Sequence, residues 1–198
     1  MSTALSSGST AASISAAYPK MASYADEIVR VANQVGVHPS WLANVINFES
    51  GGNPQARNPY SSATGLIQFI TSTANRLGTS VDALYGMTGR QQMAYVEKYF
   101  SPYSGRLKSQ EDVYMAVFYP KAIGNPDYPF PSSVTAVNPG ISTPRDYVTM
   151  ANRKAKLAPY VGEMAAAGVA RLYGAWPYIL ILGVGGIAAA ILWRRRFR

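Results

Sequence analysis

Leu42, Val45 and Ile46 recur at helical spacing, and the next position of that stripe holds a carboxylic acid, Glu49. A helix face directed at a core asks for Leu or Val there. The chain instead follows the acid with Ser50-Gly51-Gly52, which stops the helix. A carboxyl presented from an apolar face at a helix end loses hydration when charged. Its pKa is expected to rise, so that it holds a proton near neutral pH and can deliver it to a leaving oxygen. The alternative at this point is a glutamate that points to solvent from a frayed end.

The composition narrows the chemistry. The 198 residues include no cysteine and a single histidine, His38. Disulfides, Cys or His-cluster metal sites and Ser-His or Cys-His nucleophiles are thereby excluded, so no metal and no cofactor is expected. Carboxylates, hydroxyls, amides and the 14 tyrosines are left to do the work. The net charge is +8, but residues 1–193 hold 14 basic and 10 acidic side chains, and the tail RRRFR supplies the other +4. The body charge is scattered, and no nucleic-acid partner is expected.

Residues 1–17 are Ser/Ala/Thr-rich, carry no charged side chain and lack the pattern of a secretory signal. Residues 1–20 are expected to form a flexible arm. Ile28, Val31, Ala32 and Val35 then form a helical stripe closed by Gly36, and Pro39 suits the first turn of the helix that reaches Glu49. Asn53 to Thr64 reads as a loop. Gly65 to Leu77 reads as a third helix with a stripe at Leu66, Phe69, Ile70, Thr73 and Leu77, closed by Gly78. Arg90 to Phe100 gives a fourth, and Ser109 to Asp112 a capping start for a fifth. Six prolines between 120 and 144 mark an irregular stretch of the kind that forms binding loops, before a helix that opens at Thr143-Pro144.

Residues 176–193 run 18 positions without a charge, with Trp176, Tyr178 and Trp193 at the ends and arginines directly after. A helix of that length spans roughly 27 Å, close to a hydrocarbon core. The expectation is one C-terminal transmembrane helix anchored in a lipid membrane. The chain then divides into an arm (1–20), a catalytic domain (21–160), a linker or juxtamembrane helix (161–175), the span (176–193) and a basic tail (194–198).

The segments Glu49-Ser50 and Gly65-Leu-Ile-Gln-Phe69, with the tyrosine-containing stretch 112–120, resemble the lytic transglycosylase and goose-type lysozyme superfamily, most closely its phage-borne members. The likeness covers roughly residues 24–158. It implies an all-α, lysozyme-like domain of the soluble lytic transglycosylase type. It further implies that Glu49 is the general acid and then the general base, and that Gln68 binds polar groups of the sugar. Tyr119 is the best match to a motif tyrosine that contacts the acetamido group or the acid, with Phe118 or Tyr114 as other equivalents. Ser50 completes the first motif. Asn58 stands where many members carry a substrate-touching serine, and Ser62 and Thr64 are placed to compensate.

The residues help to choose the reaction. Ordinary glycosidases use two carboxylates about 5–10 Å apart. After Glu49 the next acid is Asp82, with 32 residues between them. Asp82, Glu97, Glu111 and Asp112 remain as second carboxylates only if the fold returns them to the site. One acid suffices where the sugar supplies its own nucleophile, which by resemblance means cleavage of peptidoglycan glycan strands with 1,6-anhydromuramic acid as product. A goose-type hydrolase and a non-catalytic, membrane-anchored wall-binding or virion structural protein are the rival readings. The joined expectation is an enzyme held in a virion membrane, with virion membrane or capsid proteins as partners, that acts in the host periplasm and opens the cell wall during genome entry.

Overall fold

The computed structural model describes residues 7–154. Its helices are α1 (Ser7–Ala17), α2 (Ala25–Val35), α3 (Pro39–Ser50), α4 (Thr71–Arg76), α5 (Val81–Tyr85), α6 (Gly89–Phe100), α7 (Gln110–Phe118), α8 (Ser132–Thr135) and α9 (Pro144–Lys154), with short 3-10 turns between some of them. Pairing of extended backbone among the described residues is limited to the isolated bridges Arg57–Thr64 and Thr64–Phe69. The domain is helical, as the lysozyme-like reading requires.

Local chemistry sets the helix limits. α2 starts with Asp26 and Glu27 in its first turn, where the helix dipole favours negative charge, and ends at Gly36 with φ +83. α3 has Pro39 at its first position, a cap from the His38 ring to the Ser40 amide, and Gly51 at φ +62 as its stop. Capping boxes at Thr88/Gln91 and Ser109/Asp112 begin α6 and α7.

α3 is the central element. Leu42, Ala43, Val45 and Ile46 are buried in it, α2 packs on one side and α7 on the other, and α7 in turn carries α9. Polar Asn44, also buried, accepts a 2.7 Å hydrogen bond from the Tyr18 hydroxyl. α2 and α6 join through an exposed network in which Arg90 meets Asp26 and Glu27, and Arg30 meets Glu27 and Glu97. Such exposed pairs are screened by water and add little, so apolar burial decides the packing.

Three expectations are corrected. The stretch 65–77 is not one helix: residues 65–70 form a turn, and only Thr71–Arg76 is helical. Gly65 takes φ +81, and Thr64 and Phe69 exchange both backbone hydrogen bonds, at 3.0 and 2.9 Å, a pairing that a helix would forbid. Inside the expected arm 1–20, Ser7–Ala17 is a helix packed on α2 with Ile14 buried, and its alanines favour the helical state. Finally, the fold class does not hold as stated. Among the described residues no helix is long and apolar enough to cross a membrane, and what they carry is the all-α domain alone. Residues 161–175, 176–193 and 194–198 lie outside the described residues.

The exit from α3 is fixed by Tyr24, whose hydroxyl donates to the Gly52 carbonyl at 2.8 Å. The ring of Tyr24 lies against Gly89, where an added Cβ would come within 2.4 Å of ring carbon Cδ1. Alanine ordinarily stabilises a helix relative to glycine, but here overpacking against a buried ring wins. Gly89→Ala is expected to lower stability by about 1–3 kcal/mol in chemical denaturation.

Candidate functional site

The site is built where α3 ends. Phe48 turns its ring into an aromatic group from α7 and α9, edge-on to Tyr114 and Tyr147, each at 5.7 Å between centroids. Tyr147 stacks on Phe118 at 4.2 Å and meets Tyr114 at 6.0 Å. Glu49, the next residue, is partly exposed as a whole, yet its Oε1 is sealed from solvent. Among the described residues, Glu49 Oε1 and the Tyr114 and Tyr147 hydroxyls are the buried side-chain polar atoms without a hydrogen-bond partner. Buried polar groups are normally satisfied, so three such atoms at one place mark a site shaped for something other than its own stability.

Burial pushes the Glu49 carboxyl up to about 8. A carboxyl in that range is protonated at neutral pH and can donate a proton, then take one back. The phenols around it are held neutral. Tyr114 and Tyr147 are raised first by burial and then by the charge that Glu49 would carry, with Gln110 pulling Tyr114 weakly the other way. Tyr99, on α6, is raised by burial, then by Tyr103 and Glu49, and its hydroxyl donates to the Ala116 carbonyl at 2.8 Å.

Residues 56–69 form a doubled-back segment, held by the bridges at Thr64, that meets the end of α3 at Ser50. Ser50 Oγ lies 3.0 Å from the Leu66 carbonyl and 3.0 Å from that of Ile46, so the helix end is tied to this segment. Gln68 takes φ +53, the one positive φ at a non-glycine among the described residues. A non-glycine in that conformation is uncommon and is held here by its surroundings. Its side-chain amide donates to the Gly65 carbonyl at 3.0 Å and to that of Ala56 at 3.4 Å.

The residues expected at the site part company here. Glu49, Ser50 and the turn that carries Gln68 are brought together. Asn58 Oδ1 accepts from the Tyr60 amide at 2.8 Å, and Ser62 Oγ accepts from the Thr71 amide at 3.1 Å, so both hold loop backbone. Tyr119 closes α7 and faces Tyr128 and Phe130, at 5.8 and 5.4 Å between centroids, whereas Tyr114 is the α7 tyrosine that feels Glu49. Tyr147 was not anticipated. Its signal was present in the helix that opens at Thr143-Pro144, but a buried aromatic there reads as core.

No second carboxylate among the described residues approaches Glu49. Among the described residues Asp82 pairs with Arg57, Glu97 with Arg30, and Asp127 with Arg145, while Asp26 and Glu27 serve Arg90. Asp112 accepts from the amides of Lys108, Ser109 and Gly124, and Asp146 from those of Ser142 and Thr143. Glu111 acts on Arg145. Burial is the cause of the Glu49 shift, with no neighbouring acid contributing.

Residues 27–98 match the family model of the transglycosylase SLT domain, whose members are lytic transglycosylases, lyases that act on peptidoglycan. The match takes in Glu49, Ser50 and the 65–69 turn. The similarity of residues 27–98 to that domain supports a peptidoglycan-degrading activity of the lytic transglycosylase type. Among curated proteins and among solved structures, none matches the chain.

The raised Glu49 carboxyl has a cost in stability whose sign can be worked out. Between the ordinary value of 4.5 and about 8 the folded protein keeps a proton that the unfolded chain has lost. Stability therefore falls as pH rises through this window, and the loss is complete above it. Glu49→Gln does not titrate. Its stability relative to the parent should grow from pH 5 to pH 9, by on the order of a few kcal/mol, in denaturant titrations at both pH values.

Proposed function

We propose that Glu49 alone carries the acid-base chemistry of a reaction that cleaves the β-1,4 bond between N-acetylmuramic acid and N-acetylglucosamine and closes a 1,6-anhydro ring. The observation that carries this reading is a buried acid, its carboxyl pushed up to about 8, with no second carboxylate beside it among the described residues. Glu49 gives its proton to the glycosidic oxygen as the bond from that oxygen to C1 breaks. The carbonyl oxygen of the sugar's own acetamido group bonds to C1 as the leaving group departs. The Glu49 carboxylate then removes the proton of the C6 hydroxyl, O6 bonds to C1, and the acetamido oxygen is released. The acid ends protonated as it began, and no water is consumed.

The surroundings suit this sequence. Tyr114 and Tyr147 offer neutral hydroxyls that can hydrogen-bond to the carboxylate when it forms, and donors placed where charge develops lower the barrier. The turn at Gln68 and the polar loop before it supply hydrogen-bonding groups for the glycan, while Ser50 holds the turn to the helix end. Substrate contacts by Ser50, Asn58, Ser62, Gln68 and Tyr119 belong to the same reading. For the last of these the geometry favours Tyr114 as the tyrosine that serves Glu49.

We further propose that the reaction serves a phage virion, opening the host wall from the periplasmic side during genome entry. The motive is the resemblance, read from the sequence, of the Glu49-Ser50 and 65–69 segments to phage-borne members of the superfamily. Mass spectrometry of purified virions should detect this chain, and its absence would remove the virion role while leaving the enzyme intact.

The reaction itself is tested by digestion of peptidoglycan with the full chain and mass spectrometry of the fragments. 1,6-Anhydro-muropeptides are expected from the parent and not from Glu49→Gln, a loss of at least about 100-fold if general acid catalysis is removed. Asp82→Asn and Glu97→Gln should retain the same product within a few-fold, since their ion pairs are exposed. Reducing-end products would instead assign a goose-type hydrolysis, with water in place of the C6 hydroxyl.

A further inference from the structure

Gln92 lies on the buried face of α6, with no exposed surface. Every polar group of its amide is used, and each bond reaches a different part of the chain. Its Nε2 donates to the Pro54 carbonyl and to the Leu84 carbonyl, both at 2.7 Å, and its Oε1 accepts from the Leu66 amide at 2.9 Å. Pro54 lies just past the α3 exit, and Leu66 is in the turn that ends at Gln68 and Phe69. One side chain thus ties together the two segments that leave and re-approach Glu49.

The approach is close enough to dictate the neighbouring residue. A Cβ at Gly65 would fall 2.4 Å from Gln92 Oε1, so the turn is seated directly on the amide. The next contact runs toward the acid, because the Leu66 carbonyl accepts from the hydroxyl of Ser50, the residue after Glu49. Leu66 is held on both sides, by Gln92 at its N–H and by Ser50 at its carbonyl. If the first hold is lost, the Leu66 amide and the Pro54 carbonyl lose the Gln92 side chain, the Leu84 carbonyl keeps only the Met87 amide, and the turn loses its tie to α6.

We propose that Gln92 is a positioning residue of the reaction, acting through Leu66 and Ser50 to hold the wall that keeps water from Glu49. The inference rests on Glu49 being the acid. The groups that face that acid are the phenols of Tyr99 on α6, Tyr114 on α7 and Tyr147 on α9. They stay neutral over the working pH range, so a change in Glu49 titration reports on water entry at its wall.

The test is Gln92→Met, which keeps length and removes the three hydrogen bonds, made in the full chain and read by carbon-13 NMR titration of the Glu49 carboxyl. The parent should titrate near pH 8 and the variant at least a unit lower. Its kcat should fall roughly 10- to 100-fold with KM little changed, since a misplaced site loses rate before it loses substrate. A folded Gln92→Met with unchanged titration and unchanged kcat overturns the proposal. If that variant does not fold, Ser50→Ala cuts the last link of the same chain of contacts. A lowered Glu49 midpoint in Ser50→Ala then supports the proposal, and an unmoved one overturns it. The titration reads Gln92 whether or not the enzyme turns over, while retained activity in Glu49→Gln would remove the acid assignment itself.

Discussion

Withdrawal of one carboxyl from water, at the last turn of the central helix, is the condition on which the other features of this domain depend. An acid needs hydration to ionise, and burial at the end of α3, beside the aromatic group of α7 and α9, denies it to Glu49. The native state is weakened wherever the group is made to ionise, and that weakness accompanies a proton held ready at neutral pH. The surrounding parts share the task. Phe48 seats the helix end, Tyr114 and Tyr147 supply neutral hydroxyls, and Ser50 ties the helix to the turn.

The arrangement of the other acids reinforces this. A second carboxylate near Glu49 would raise its pKa through repulsion and would also offer a base to activate water. The fold instead spends its acids on arginines and on backbone amides. Asp112 illustrates the point, since it is buried and yet fully occupied by three N–H groups that join the start of α7 to Gly124 after its end. A chemistry in which the substrate brings its own nucleophile fits a site of this kind.

Much of this was legible in the sequence, and the places where it was not have physical reasons. The stripes of α2 and α3, with Gly36 and Gly51 as their stops, are local signals, and the anomaly at Glu49 was visible because it broke such a stripe. The turn at 65–70 was misread as helix because its apolar residues fall at helical spacing. What decides it is an amide 26 residues away, Gln92, together with a left-handed Gly65. α1 has no stripe and gains its helix from docking. Tyr147 was missed because a buried aromatic at helical spacing reads as core, and only the neighbour that α3 presents to it gives it a chemical role. Asn58 and Ser62 stand where the resemblance places them, but their side chains are used on the loop backbone.

The slot occupied by Tyr24 has a consequence for how sequences of this fold can drift. Its hydroxyl reaches Gly52, its ring fills the space a side chain at Gly89 would need, and Met21 beside it crowds Gly52 to within 2.9 Å of an added Cβ. Bulk at position 24 and its absence at 89 are one property distributed over two sites, while Gly52 is kept glycine by its φ of +74 as well as by Met21. A lineage that shrinks Tyr24 frees Gly89 to acquire a side chain, whereas a side chain acquired first meets a filled slot. The order of substitution is thus fixed by volume, and these positions should change together across descendants of this chain.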